Sequence, residues 1–165
     1  DWSTEEMIEV FRHAFYDTNP LSDWTLPVVS LVSGRKQSRL LQDSFGSRDI
    51  EDLVLPYFCV SANLTSGTAA IHRTGSLWYW LRASTAIPGI VPPLMHRGEV
   101  YVDGGVINNL PVDVMRDMHR GEIIAVDVGG DYQLKAEQDE TELPPIWQLA
   151  AEWLGPVRRP SLRQV

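Results

Sequence analysis

"EVYVDGGVINNLPVDVMRDMHRGEIIAVDVGG", residues 99–130, decides how the fold is read. It opens with four residues of strand character, "EVYV", that run into Asp103. Gly104 and Gly105 follow at once, then Asn108, Asn109 and Pro111. An asparagine shortly before a proline marks the start of a helix, "PVDVMRDMHR", which Gly121 closes. "EIIAVDVGG" is then a near-continuous apolar run, the pattern of a strand buried on both faces of a parallel sheet. Strand, helix and strand in that order predict an α/β layered fold.

Asp103 has two readings. In one, a Gly-Gly turn joins strand to helix and the carboxylate satisfies local backbone N–H groups. In the other, the carboxylate stands at the carboxyl edge of a strand, where α/β sheets bind ligands. Gly104 and Gly105 would let the backbone turn sharply and approach a neighbour closely. Asn108 and Asn109 would hydrogen-bond the turned backbone. Taken alone, the motif favours the turn. Asp127, in the similar "VDVGG", lies inside its apolar run and is expected to be a structural residue at a buried strand end.

Upstream, Ser3 and Glu6 have capping-box spacing, and Met7, Val10, Phe11, Ala14 and Phe15 give the following helix one apolar face. Asn19-Pro20 ends it. "PVVSLVSG" is either a strand or a buried extended segment, and "RKQSRLLQDSFG" is a short helix. "LPYFCVSANL" is the first strong strand, and "TAAIHRTG" returns as its hairpin partner. "SLWYWLRASTA" is helical up to Ile87-Pro88-Gly89, and "VPPLMHRG" is a loop. Trp78, Tyr79 and Trp80 are expected in the core or a groove wall, and Arg73 and Arg82 could pair with carboxylates as ordinary structure.

Beyond Gly130 the composition changes. Residues 131–145 are acidic and weakly patterned, the signature of a flexible linker. In 146–165, Ile146, Leu149, Ala150, Trp153 and Leu154 form an amphipathic stripe before a basic tail.

Composition narrows the function. The 165 residues carry 22 acidic and 14 basic side chains, a net charge of −8. That argues against a nucleic-acid partner, which needs a basic patch, and leaves contact with a lipid surface open. Hydrophobic residues make up 44%, enough for a core. The lone cysteine, Cys59, reads as a buried small hydrophobe. His13, His72, His96 and His119 show no zinc-ligand spacing, and no metal or cofactor is expected. No glycines have the spacing of a dinucleotide or phosphate cradle.

The ordered set "LPYFCVSANLTSG", "GSLWYWLRASTAIPGIVPPL", "VYVDGGVINNLPVDVMRDM" and "IIAVDVG" resembles the patatin-like phospholipases, in the branch that includes neuropathy target esterase. The likeness covers most of residues 21–130. It implies an α/β patatin-type hydrolase sheet flanked by helices, and a Ser–Asp dyad that cleaves acyl esters of phospholipids or lysophospholipids without a metal. Asp103 matches the family's general base, Gly104 and Gly105 match its glycines, and Asp127 matches no catalytic position.

The family's nucleophile sits in a G-x-S-x-G turn, after a glycine-rich oxyanion loop. No serine here has a glycine two residues before it. Residues 1–130 therefore look like the C-terminal portion of such a domain, incomplete at its N-terminal side and inactive alone. The missing N-terminal half becomes an expected partner. A cytosol-facing, peripheral membrane location suits the reading. The alternative is a non-catalytic lipid-binding or protein-interaction module that uses the tail helix with Trp147 and Trp153.

Overall fold

The structure is a computed structural model that describes residues 3–26, 28–119 and 121–127. The chain divides into Asp1–Ala125 and Val126–Val165. The linker expected over 131–145 and the amphipathic helix and tail over 146–165 lie outside the described residues.

Four strands form one sheet: β1 (Cys59–Asn63), β2 (Thr68–His72), β3 (Leu94–His96) and β4 (Glu99–Asp103). Their order is β2-β1-β4-β3, and every pairing is antiparallel. The parallel sheet expected from residues 99–128 is not formed among the described residues. Residues 122–127 are in no strand, Ile124 is 91% exposed, and Asp127 is exposed, so it is not a buried strand end. An apolar run becomes a strand only where a partner takes its N–H and C=O groups, and no ladder includes its described residues.

The hairpin of β1 and β2 forms as the sequence suggests. Asn63 Oδ1 accepts the N–H groups of Thr65 (3.0 Å) and Ser66 (3.2 Å), which shapes the turn. The loop expected over 91–98 instead contains β3. Only Arg97 and Gly98 separate it from β4, with φ of 51° and 82°, the handedness a two-residue hairpin turn requires. Three residues, Leu94–His96, are too few to show an alternation in sequence.

Helices α1 (Thr4–Arg12), α2 (Arg35–Phe45), α3 (Leu77–Ser84) and α4 (Val112–Asp117) flank the strands. Ser3 and Glu6 complete the capping box on α1, which runs on into a π-helical turn, His13–Asp17. The apolar face of α1 is not buried: Phe11 is 61% and Phe15 64% exposed. Residues 28–34 give no strand. Val32 is buried and bridges Trp24, whereas Val28 is 87% exposed. α2 ends at Gly46, as read from sequence.

α3 covers the sheet face that carries Cys59, Ser61, His72 and Tyr101. Ile50, Cys59 and Leu77 form a core cluster packed by Phe45, Leu53, Trp80 and Leu81. Trp80 stacks on His72 at 3.8 Å and meets Tyr101 and His96 edge-on. Cys59 is buried and free, and burial pushes its thiol up to about 12. The fold is thus a sheet flanked by helices, consistent with the partial α/β arrangement that the resemblance implies, although its described strands run antiparallel.

Candidate active site

Asp103 is the last residue of β4 and lies opposite Ser61 of β1. Its N–H donates to the Ala86 carbonyl just past α3, at 2.9 Å. Its Oδ1 accepts the Gly105 N–H at 2.7 Å, so the carboxylate caps the single 3₁₀ turn Gly104–Val106. Two elements therefore hold this residue, and its side chain is half-buried. Oδ2 accepts no hydrogen bond among the described residues.

Gly104 explains why the turn is so tight. A Cβ built there would stand 2.3 Å from the Val60 carbonyl oxygen, so only glycine lets the chain leave β4 against β1. A Cβ at Gly105 would stand 3.1 Å from both Asp103 Oδ1 and Asn109 Oδ1. The loop closes on itself through the N–H groups of Ile107 (3.0 Å) and Asn108 (2.8 Å), which donate to the Gly104 carbonyl.

The asparagines were expected to hydrogen-bond the turned backbone with their side chains. Asn108 does something else: its Nδ2 donates to Asp113 Oδ1 at 2.9 Å and ties the loop to the first turn of α4. That bond, first among several causes, holds the Asp113 carboxyl below its ordinary range. The Asn109 side chain lies over Gly105. All five residues read from sequence, Asp103, Gly104, Gly105, Asn108 and Asn109, therefore meet in one loop.

The sequence reading missed a buried Ser–His contact. Ser61 Oγ lies 2.7 Å from His72 Nε2. It resembles a catalytic pair, but Ser61 is 0% exposed and sits mid-strand beneath α3. A substrate does not reach it, and the contact is a satisfied core hydrogen bond. The available signal was weak: strand alternation puts Cys59, Ser61 and Asn63 on one face, but register with β2 alone brings His72 alongside. Burial, then the nearby His96, pulls the His72 pKa down to about 4, so its ring is neutral near pH 7.

β1 enters the sheet where β4 leaves it, because the two are antiparallel. An open, largely apolar cleft of about 450 Å³ lies at that end, lined by Leu55, Pro56, Tyr57, Phe58, Met115 and Met118. Apolar walls of this kind suit a ligand with a hydrocarbon part.

Comparison with known proteins places the sequence in a family. The patatin-like phospholipase family model matches residues 3–116. Neuropathy target esterase sws of Drosophila melanogaster is 37% identical over 150 residues, covering 88% of this chain and 10% of that protein. Lysophospholipase NTE1 of Meyerozyma guilliermondii is 40% identical over 134 residues, covering 81% of this chain and 9% of that protein. An uncharacterized NTE family protein of Mycobacterium bovis is 41% identical over 123 residues, covering 74% of this chain and 21% of that protein. The chain thus spans a small part of the length of the curated relatives it matches. With most of its residues inside the family match, and relatives well above 30% identity, the chain belongs to the patatin-like phospholipase family.

Proposed function

We propose that this chain carries the general base of a serine acyl-ester hydrolase acting on phospholipid or lysophospholipid, and that Asp103 is that base. The observation that carries the reading is the fixed carboxylate. Gly105 N–H holds Oδ1, Ala86 holds the backbone, and Gly104 presses the turn onto β1. A rigid carboxylate left with a second oxygen suits direct proton abstraction from a serine hydroxyl. The apolar cleft at the same sheet end supports an acyl substrate.

In this reading the nucleophilic serine and the oxyanion donors come from outside residues 1–165. Asp103 takes the hydroxyl proton as the serine oxygen attacks the ester carbonyl. The C–O bond to the leaving alcohol breaks, and the alcohol takes that proton. Water, deprotonated by the same carboxylate, then cleaves the acyl-enzyme and regenerates the serine. Backbone N–H donors stabilise the oxyanion in both steps. A peripheral, cytosol-facing location goes with a lipid substrate, and residues 1–165 alone are inactive.

The test needs a longer protein that includes a G-x-S-x-G segment. Asp103→Asn in that protein should lower lysophospholipid hydrolysis by roughly a hundred- to ten-thousand-fold. Its circular dichroism should be unchanged. Full activity in the variant would overturn the assignment.

A further inference from the structure

Buried polar side chains lie around the first turn of α2 and the last turn of α3. Arg82 is 6% exposed, although it carries a guanidinium. Its Nη2 donates to the Pro92 carbonyl at 2.9 Å, but its Nη1 is buried and has no partner. Among the described residues no carboxylate pairs with it directly. Gly34, at the N-cap of α2, is what lets the guanidinium in: a Cβ there would stand 2.8 Å from Nη2.

Two acceptors share this region. Asp23 caps α2 from outside the helix, its Oδ2 accepting from Arg35 N–H (2.8 Å), Lys36 N–H (3.2 Å) and the Ser33 hydroxyl. Its other oxygen, Oδ1, is buried and unpartnered. Gln37 donates through Nε2 to the Thr85 hydroxyl at 2.9 Å, which pins it against the end of α3, and its Oε1 is likewise buried and unpartnered. Burial raises the Asp23 carboxyl, but Ser33 and the Lys36 and Arg35 amides outweigh that and hold it below the ordinary carboxylate range. It is therefore an anion at neutral pH, and Arg82 feels its charge.

An orphan buried donor or acceptor costs roughly 1–3 kcal/mol, more if charged. Three such atoms in one wedge would be unusual in a stable fold. Their chemistry is complementary. One N–H donor and two acceptor oxygens are what a single water satisfies, accepting once and donating twice. Buried waters typically make about three such bonds.

We propose that Arg82 Nη1, Asp23 Oδ1 and Gln37 Oε1 form a binding site for one ordered water that joins α2 to α3. The site is independent of the reading of Asp103 and does not require the chain to be an enzyme.

A crystal structure of the 165-residue chain, at a resolution that shows ordered water, tests the geometry. It should show one peak within about 2.7–3.2 Å of all three atoms. In solution, the Arg82 guanidinium protons should show a cross-peak to a long-lived water. Both results are required. A direct contact between Nη1 and either oxygen, an empty pocket, or no water cross-peak would each overturn the proposal.

Discussion

At the scale of single residues, Gly104 and Asp103 separate stability from chemistry. Gly104→Ala forces a methyl to within 2.3 Å of the Val60 carbonyl oxygen, and backbone rather than a flexible side chain must yield. The expected cost is about 1–3 kcal/mol, read from urea unfolding of the variant against the parent. Asp103→Asn should behave differently. The amide oxygen of asparagine can still accept the Gly105 N–H that Asp103 Oδ1 now accepts at 2.7 Å. Its melting temperature should stay near that of the parent, even though the proposed chemistry is lost. A large drop would mean that this carboxylate is chiefly structural. The sequence showed these residues as a group, because a carboxylate beside paired glycines is a local signal. It did not show that Val60 is what demands the glycine, since that contact joins strands some forty positions apart.

At the scale of elements, the hairpin of β3 and β4 and the packing of α3 make the sharpest predictions. Arg97 sits at φ 51°, a region that costs an L-residue with a full side chain, while the following Gly98 does not object. Arg97→Asn, the residue preferred before glycine in such turns, should raise stability by roughly 0.5–1 kcal/mol. Unchanged or lower thermal stability would count against the turn assignment. Beneath α3, His72 is neutral when folded, with its pKa pulled from 6.5 to about 4. As pH falls from about 6.5 to about 4, the unfolded chain takes up a proton that the folded chain refuses, so stability falls across that window. Comparing melts of the parent and His72→Gln over this range isolates the effect, because glutamine does not titrate. Parallel curves would remove His72 as the cause. Periodicity disclosed α1, α2, α3, β1, β2 and β4. It did not disclose β3, whose three residues leave no period to read, nor the stacking of Trp80 on His72, which depends on the register of β2.

At the scale of the whole molecule, the described surface is unusually apolar. Val54 is 98%, Leu55 77%, Val28 87% and Ile124 91% exposed, and the apolar face of α1 faces solvent. Apolar patches of this kind drive association. Both outer strands, β2 and β3, also present backbone groups to a partner. Sedimentation velocity over a range of concentrations should therefore show species heavier than the 18.6 kDa chain. A single monomeric species at every concentration would show that the exposed residues are too dispersed to act as an interface.

The sequence by itself determined the local matter: where most helices begin and end, the hairpin of β1 and β2, and the order of motifs that marks the family. Capping, turn chemistry and apolar period act between residues a few positions apart, so they are written in neighbouring letters. Tertiary structure alone decided what depends on distant partners. It made the described sheet antiparallel and left 122–127 outside any strand, because a ladder forms only where two strands meet. It withdrew Ser61 from solvent while leaving Asp103 half-exposed at the end of β4, though the two face each other across one register. It also brought Asp23, Gln37 and Arg82 to one wedge, a meeting that no spacing along the chain announces, because packing of α2 on α3 sets it.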